Sequence, residues 1–172
     1  MASEAEFVTR IPDLGNLSSK TTSSEIDLAA QSYNDNIAHL LRQLREAGVS
    51  VEGKVYAIYL LGQWRATAAV STLIDNISMN ASKSDPRLSI ARWGTYPAQE
   101  ALSRIGTPAV NMILEKLPAE QDDLRRRLMC FVIHDVEGKV TGQWMLQSKI
   151  VNERDGPRKV NLQAALNVLN SL

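Results

Sequence analysis

Few residues in this chain could carry a reaction. In 172 residues there are two histidines, His39 and His134, and a single cysteine, Cys130. His134 precedes Asp135, a pairing that could serve as an acid–base dyad. The local pattern instead puts both at the end of a helix, where a polar or cationic residue suits the negative pole of the helix dipole, and that structural reading is preferred. Cys130 sits inside the apolar run LMCFVI. There a thiol is a small buried hydrophobe rather than a nucleophile. A lone cysteine cannot close an internal disulfide, which excludes a stapled secreted scaffold. The sequence contains no HExxH, Cys/His cluster, phosphate-binding glycine loop or G-x-S-x-G elbow. No catalytic, cofactor-binding or metal-ligating residue is assigned, no cofactor is expected, and the chain is expected not to be an enzyme.

Charge and aromatic clusters suggest contact rather than reaction. Asp122-Asp123 precede Arg125-Arg126-Arg127. Such a cluster could hold an anion, but acidic residues at a helix start followed by a solvated basic face explain it more simply. Trp64 adjoins Arg65, and Trp93 lies in RWGTYP with Arg92 and Tyr96. Aromatic residues with arginine are the usual composition of a binding hot spot, whereas a tryptophan in a turn often only packs onto the next helix. Segment 80–97, NASKSDPRLSIARWGTYP, is long for a helix–helix connection. Trp64, Arg65, Arg92, Trp93 and Tyr96 are therefore the candidate protein-contact surface.

Composition limits the partners. Lysine plus arginine equals aspartate plus glutamate at 19 each, so no global field draws the chain to nucleic acid or anionic lipid. Nucleic acid and membrane are not expected partners; another protein is. No run approaches the apolar length of a membrane helix. MASEAEFVTR lacks the apolar core of a secretory leader, so the expected location is cytoplasmic by default.

The elements that must position these residues read as helices throughout. Residues 1–24, rich in Ser and Thr, are expected to form a flexible N-terminal arm, and 25–172 a single domain. Ser24 with Asp27 resembles a capping box, and Ile37, Leu40, Leu41 and Leu44 follow at helical spacing up to Gly48, the expected C′ residue. Short helices then alternate with breaks containing Gly or Pro, and no stretch sustains a period of two.

Two stretches repeat. Ala57, Ile58, Leu61 and Gly62 match Ala101, Leu102, Ile105 and Gly106 at identical spacing. After each glycine a second helix is expected. It carries Ala69, Val70, Leu73, Ile74 and Ile77 in one copy and Ala109, Val110, Ile113, Leu114 and Leu117 in the other. Both sets make one apolar stripe, which a helix pair cannot bury unless neighbouring pairs stack on it. The link between the helices is four residues longer in the first copy.

This pattern resembles the HEAT-repeat family, in particular the short bacterial PBS-lyase HEAT-like subtype, over about residues 50–117. The resemblance implies an all-α fold, an α-α superhelix: a short right-handed solenoid of about three helical hairpins with capping helices. A weaker third unit is expected from Leu124, Leu128, Phe131, Val132 and Val136, then Trp144, Met145, Leu146 and Ile150, its stripe interrupted by Lys149. Leu162, Ala165, Leu166 and Leu169 mark a closing helix.

VEGKV and GQW each occur twice, at 51–55 and 62–64, then at 136–140 and 142–144. Their offsets disagree, so the string is read as shared turn chemistry rather than a binding motif. The function implied is a non-enzymatic interaction module or scaffold. Nucleic-acid binding of the DNA-glycosylase-like HEAT kind is the alternative, and a bilin lyase-like role follows at a distance. The first would need basic inner helices, but these expose Thr67, Ser71, Asp75, Asn76, Asn111, Glu115 and Lys116.

Overall fold

The computed structural model describes residues 23–81 and 95–172. The described residues form eight α-helices with no strand among them. They are α1 (Ser23–Arg45), α2 (Val51–Gln63), α3 (Val70–Asp75), α4 (Pro97–Ile105), α5 (Thr107–Lys116), α6 (Asp123–Glu137), α7 (Lys139–Asn152) and α8 (Gly156–Ser171). Short 3-10 turns, Thr67–Ala69 and Leu117–Ala119, precede α3 and follow α5.

Helix starts follow local chemistry. The Ser50 hydroxyl accepts the Gly53 N–H at 3.1 Å and opens α2. Proline stands in the first turns of α4, α5 and α8, where its missing N–H leaves no bond unmade. α6 and α8 begin with one device used twice. Asp122 and Asp155 cap the N–H groups of Arg125 and Arg158 at 2.9 and 3.0 Å. Two residues earlier, Glu120 and Glu153 accept the N–H of each capping aspartate and pair with the same arginine's Nε. The shared string is Glu-x-Asp-x-x-Arg.

One apolar cluster runs from Ile37 in α1 to Leu169 in α8. α1 packs on α2, α2 on α4, α4 on α6 and α6 on α8; α3 packs on α4 and α5, and α7 on α6 and α8. Both expected stripes, Ala69 to Ile77 and Ala109 to Leu117, are buried throughout. So are Leu162, Ala165, Leu166 and Leu169.

Four details differ from expectation. α1 begins at Ser23, so Ser24 lies inside the helix rather than capping it, and residues 1–22 of the expected arm fall outside the described residues. Gly48 lies in the turn after α1, but the glycines with positive φ among the described residues are Gly106 and Gly138. Gly62 is inside α2, not in the turn. A Cβ there would come within 2.8 Å of Ala101 Cα, so the glycine sets how closely α2 and α4 approach. In the third unit, Leu124 and Trp144 are exposed while Met129, Cys130 and Ile133 are buried. α6 is covered by α4, α5, α7 and α8, which rotates its core face beyond the single stripe read from sequence.

Candidate functional site

The aromatic candidates serve different neighbours. Trp64 is half-buried at the C-terminus of α2. The Tyr33 hydroxyl of α1 donates to its carbonyl at 2.8 Å, and the two rings lie 6.0 Å apart at 53°. Burial raises the Tyr33 pKa above the ordinary phenol value. Trp64 therefore ties α1 to the α2–α3 corner. Arg65 beside it is exposed, with φ 49°. Arg92 and Trp93 lie outside the described residues. The described ends of the long connection meet where the Ala81 N–H donates to the Thr95 carbonyl at 3.0 Å.

Tyr96 occupies the N-cap position of α4 and is half-buried. It lines a groove of about 470 Å³ between α4 and α6 with Gln99, Leu124, Arg127, Leu128 and Phe131. The α6 residues are spaced i, i+3, i+4 and i+7, so they share one helix face. Leu128 is buried at its floor, Leu124 is 41% exposed, and the Arg127 guanidinium lies 5.9 Å from the Phe131 ring centroid. Sequence spacing assigned Leu124 and Phe131 to a core stripe. The signal that marks this face as a rim is Arg127 between them, an exposed cation on the same side as two apolar groups.

The potential acid–base groups are engaged in holding helices. Asp135 Oδ2 accepts from Gln99 Nε2 at 2.9 Å and from Ser103 Oγ at 3.0 Å, joining α6 to α4. His134 Nδ1 stands 3.6 Å from Asp135 Oδ1, beyond hydrogen-bond length. The serine proton points to the carboxylate and not to an imidazole, so Ser103, His134 and Asp135 do not form a hydrolytic triad. Cys130 is buried, donates to the Ala165 carbonyl at 3.4 Å, and burial pushes its thiol up to about 12. It is protonated at neutral pH and poor as a nucleophile. Lys116 of α5 reaches Asp75 of α3 at 3.0 Å and Ser71 at 3.3 Å, so its charge is paired within the chain.

Among the described residues no group of three or more His, Cys, Asp or Glu could hold a metal ion, and no helix is long and apolar enough to cross a membrane. Comparison with protein-family models, curated proteins and solved structures gives no significant match.

Proposed function

We propose that this chain is a non-enzymatic protein-interaction module built as a short right-handed solenoid of HEAT-like hairpins. α2–α3, α4–α5 and α6–α7 are its three units, and α1 and α8 close the ends. The successive packing of α2, α4 and α6 supports the stacked-hairpin reading. The observation that carries the binding role is the α4–α6 groove, which Tyr96, Leu124 and Phe131 line together with Arg127, whose guanidinium lies over the Phe131 ring. Its occupant is a partner segment with an apolar side chain for the groove and a carboxylate for Arg127. Aromatic residues and arginine in one concave patch are the combination from which binding hot spots are made.

The test is affinity capture with the wild-type chain and with a Leu124→Asp/Arg127→Glu variant. Val160→Ser, exposed on α8, serves as the control. Partners held by the wild type and the control and lost by the double variant support the reading. Equal capture by all three overturns it.

A further inference from the structure

Two neighbouring helix pairs, α3 with α5 and α5 with α7, carry corresponding charges and do not close alike. Lys116 stands four residues before Glu120 of the first Glu-x-Asp-x-x-Arg cap, and Lys149 stands four before Glu153 of the second. Asp75 follows the buried Ile74 as Glu115 follows the buried Leu114. Between α3 and α5 these positions join. Lys116 pairs with Asp75 at 3.0 Å, and Arg125 Nη1 donates to the Asp75 carbonyl at 3.1 Å. Between α5 and α7 they do not. Lys149 and Glu115 have no ion-pair or hydrogen-bond partner among the described residues, and Arg158 bonds through Nε to Glu153 rather than to α5. A cleft of about 390 Å³ opens there instead. α5 and the turn after it supply Leu114, Glu115 and Pro118, and α7 and α8 supply Lys149, Arg158 and Leu162.

Packing holds the cleft open. α5 packs on α3, but α7 packs on α6 and α8 and stands off α5. A Cβ on Gly142 of α7 would come within 2.8 Å of Ile133 Cγ2 and 2.9 Å of Leu169 Cδ2, so α7 is seated deep against α6 and α8. Lys139 and Gln143 bond to Asn170 of α8 at 2.9 and 2.8 Å. Leaning α7 onto α5 would break these contacts.

The chemistry of the cleft selects its occupant. Leu114, Pro118 and Leu162 are buried and make an apolar floor. Glu153 accepts the N–H groups of Arg154 and Asp155 and the Arg158 Nε, so its charge is already met. That leaves one unmet anion, Glu115, on α5 and one unmet cation, Lys149, on α7. A polyphosphate strand or an acidic lipid surface would satisfy Lys149 and be repelled by Glu115. A uniformly basic segment has the reverse fault. An occupant with one charge of each sign satisfies both, as Lys116 and Asp75 satisfy one another.

We infer that this cleft docks a dipolar peptide segment of a partner protein. An apolar residue of the segment lies on Leu114, Pro118 and Leu162, flanked by a basic residue for Glu115 and an acidic one for Lys149. The cleft shares no residue with the α4–α6 groove and does not depend on that groove binding anything.

The probe is a displayed library of random dodecapeptides, selected on the wild-type chain and counter-selected on the charge-exchanged variant Glu115→Lys/Lys149→Glu. Both side chains are exposed, and circular dichroism melting checks that each variant is folded. Peptides kept by the first and lost on the second should carry an acidic and a basic residue around an apolar one. In fluorescence anisotropy titrations, Glu115→Lys and Lys149→Glu should each weaken such a peptide by about tenfold or more. The charge-exchanged variant should recover most of that affinity for the same peptide with its acid and base exchanged. Leu124→Asp/Arg127→Glu should bind the original peptide as the wild type does, so failure of this cleft and failure of the α4–α6 groove are told apart. A selection that enriches no peptide dependent on both Glu115 and Lys149 overturns the proposal, as do dependent peptides bearing charge of one sign only. So does a double-mutant cycle in urea that couples Lys149 to Glu115 as strongly as Lys116 to Asp75, since the free chain would then close the cleft on itself.

Discussion

The corner between α2 and α3 and the corner between α4 and α5 align residue for residue up to their glycines, yet they turn by different means. After α4 a single residue does it. Gly106, at φ 85° and ψ −144°, ends α4 and leads directly into α5, whose Ala109 N–H returns to its carbonyl at 2.8 Å. Gly138, at φ 78° and ψ 164°, does the same between α6 and α7. After α2 the chain uses three residues. The Ala66 N–H bonds back to the Leu61 carbonyl at 3.0 Å and the Arg65 N–H to the Gly62 carbonyl at 3.1 Å. This six-to-one and five-to-two pair requires a left-handed residue at C′, and Arg65 supplies it. The glycine that sequence alignment placed in the turn is needed one helix turn earlier, where α2 meets Ala101. Matching letters therefore mark matching positions along a helix, not matching roles.

The comparison breaks most directly at Gly62. In a solvent-facing helix end, Gly62→Ala would gain about 1 kcal/mol from helix propensity. Here the new Cβ meets Ala101 Cα and Cβ at 2.8 Å, and main chain cannot rotate aside as a side chain can. Overpacking of that kind costs typically about 1–3 kcal/mol and sometimes more. A net loss of up to about 2 kcal/mol is expected in urea denaturation, larger for Gly62→Leu. A stabilised Gly62→Ala variant would show that the helices are not held at this distance.

Gly106→Ala should lose somewhat less, about 1–2 kcal/mol, and for another reason. Nothing lies within 4 Å of a Cβ at that position, so the cost is backbone strain alone. Gly106→Ala and Gly106→Leu should then melt within a few tenths of a kcal/mol of one another, since side-chain size meets no neighbour. A steep dependence on size at Gly106, or none at Gly62, would merge the two corners into one mechanism.

The apolar stripes were legible because helical periodicity alone selects the side that must be covered: Val70, Leu73, Ile74, Val110 and Ile113 needed no knowledge of what covers them. Gly62 was not legible, since its reason stands 39 residues away in Ala101 and no local rule points there. α6 was read with one core face, but four helices surround it, so Met129, Cys130 and Ile133 are buried as well. The repeated Glu-x-Asp-x-x-Arg caps were present in plain sequence; reading Asp122-Asp123 as generic acid near a dipole hid the more specific pairing of Glu120 with Arg125. At the candidate site, Tyr96 was visible as an aromatic close to Arg92 and Trp93 in the stretch RWGTYP. Leu124, Arg127 and Phe131 were not, because periodicity identifies a face without saying whether a neighbouring helix closes over it.

The finest division between the corners lies at Arg65. An L-residue in the left-handed region is strained by about 1 kcal/mol or more, and glycine at C′ removes that strain. Glycine also loosens the unfolded chain, which returns about 0.4–1 kcal/mol of the benefit. Arg65→Gly should therefore stabilise the protein only slightly, by about 0.5 kcal/mol, measured in the same urea titrations. The sign is what matters. The Arg65 side chain is exposed and makes no hydrogen bond or ion pair among the described residues, so its loss takes away no contact within this chain. A clear destabilisation would mean that the guanidinium, and not the backbone bonds to Leu61 and Gly62, holds this corner in place.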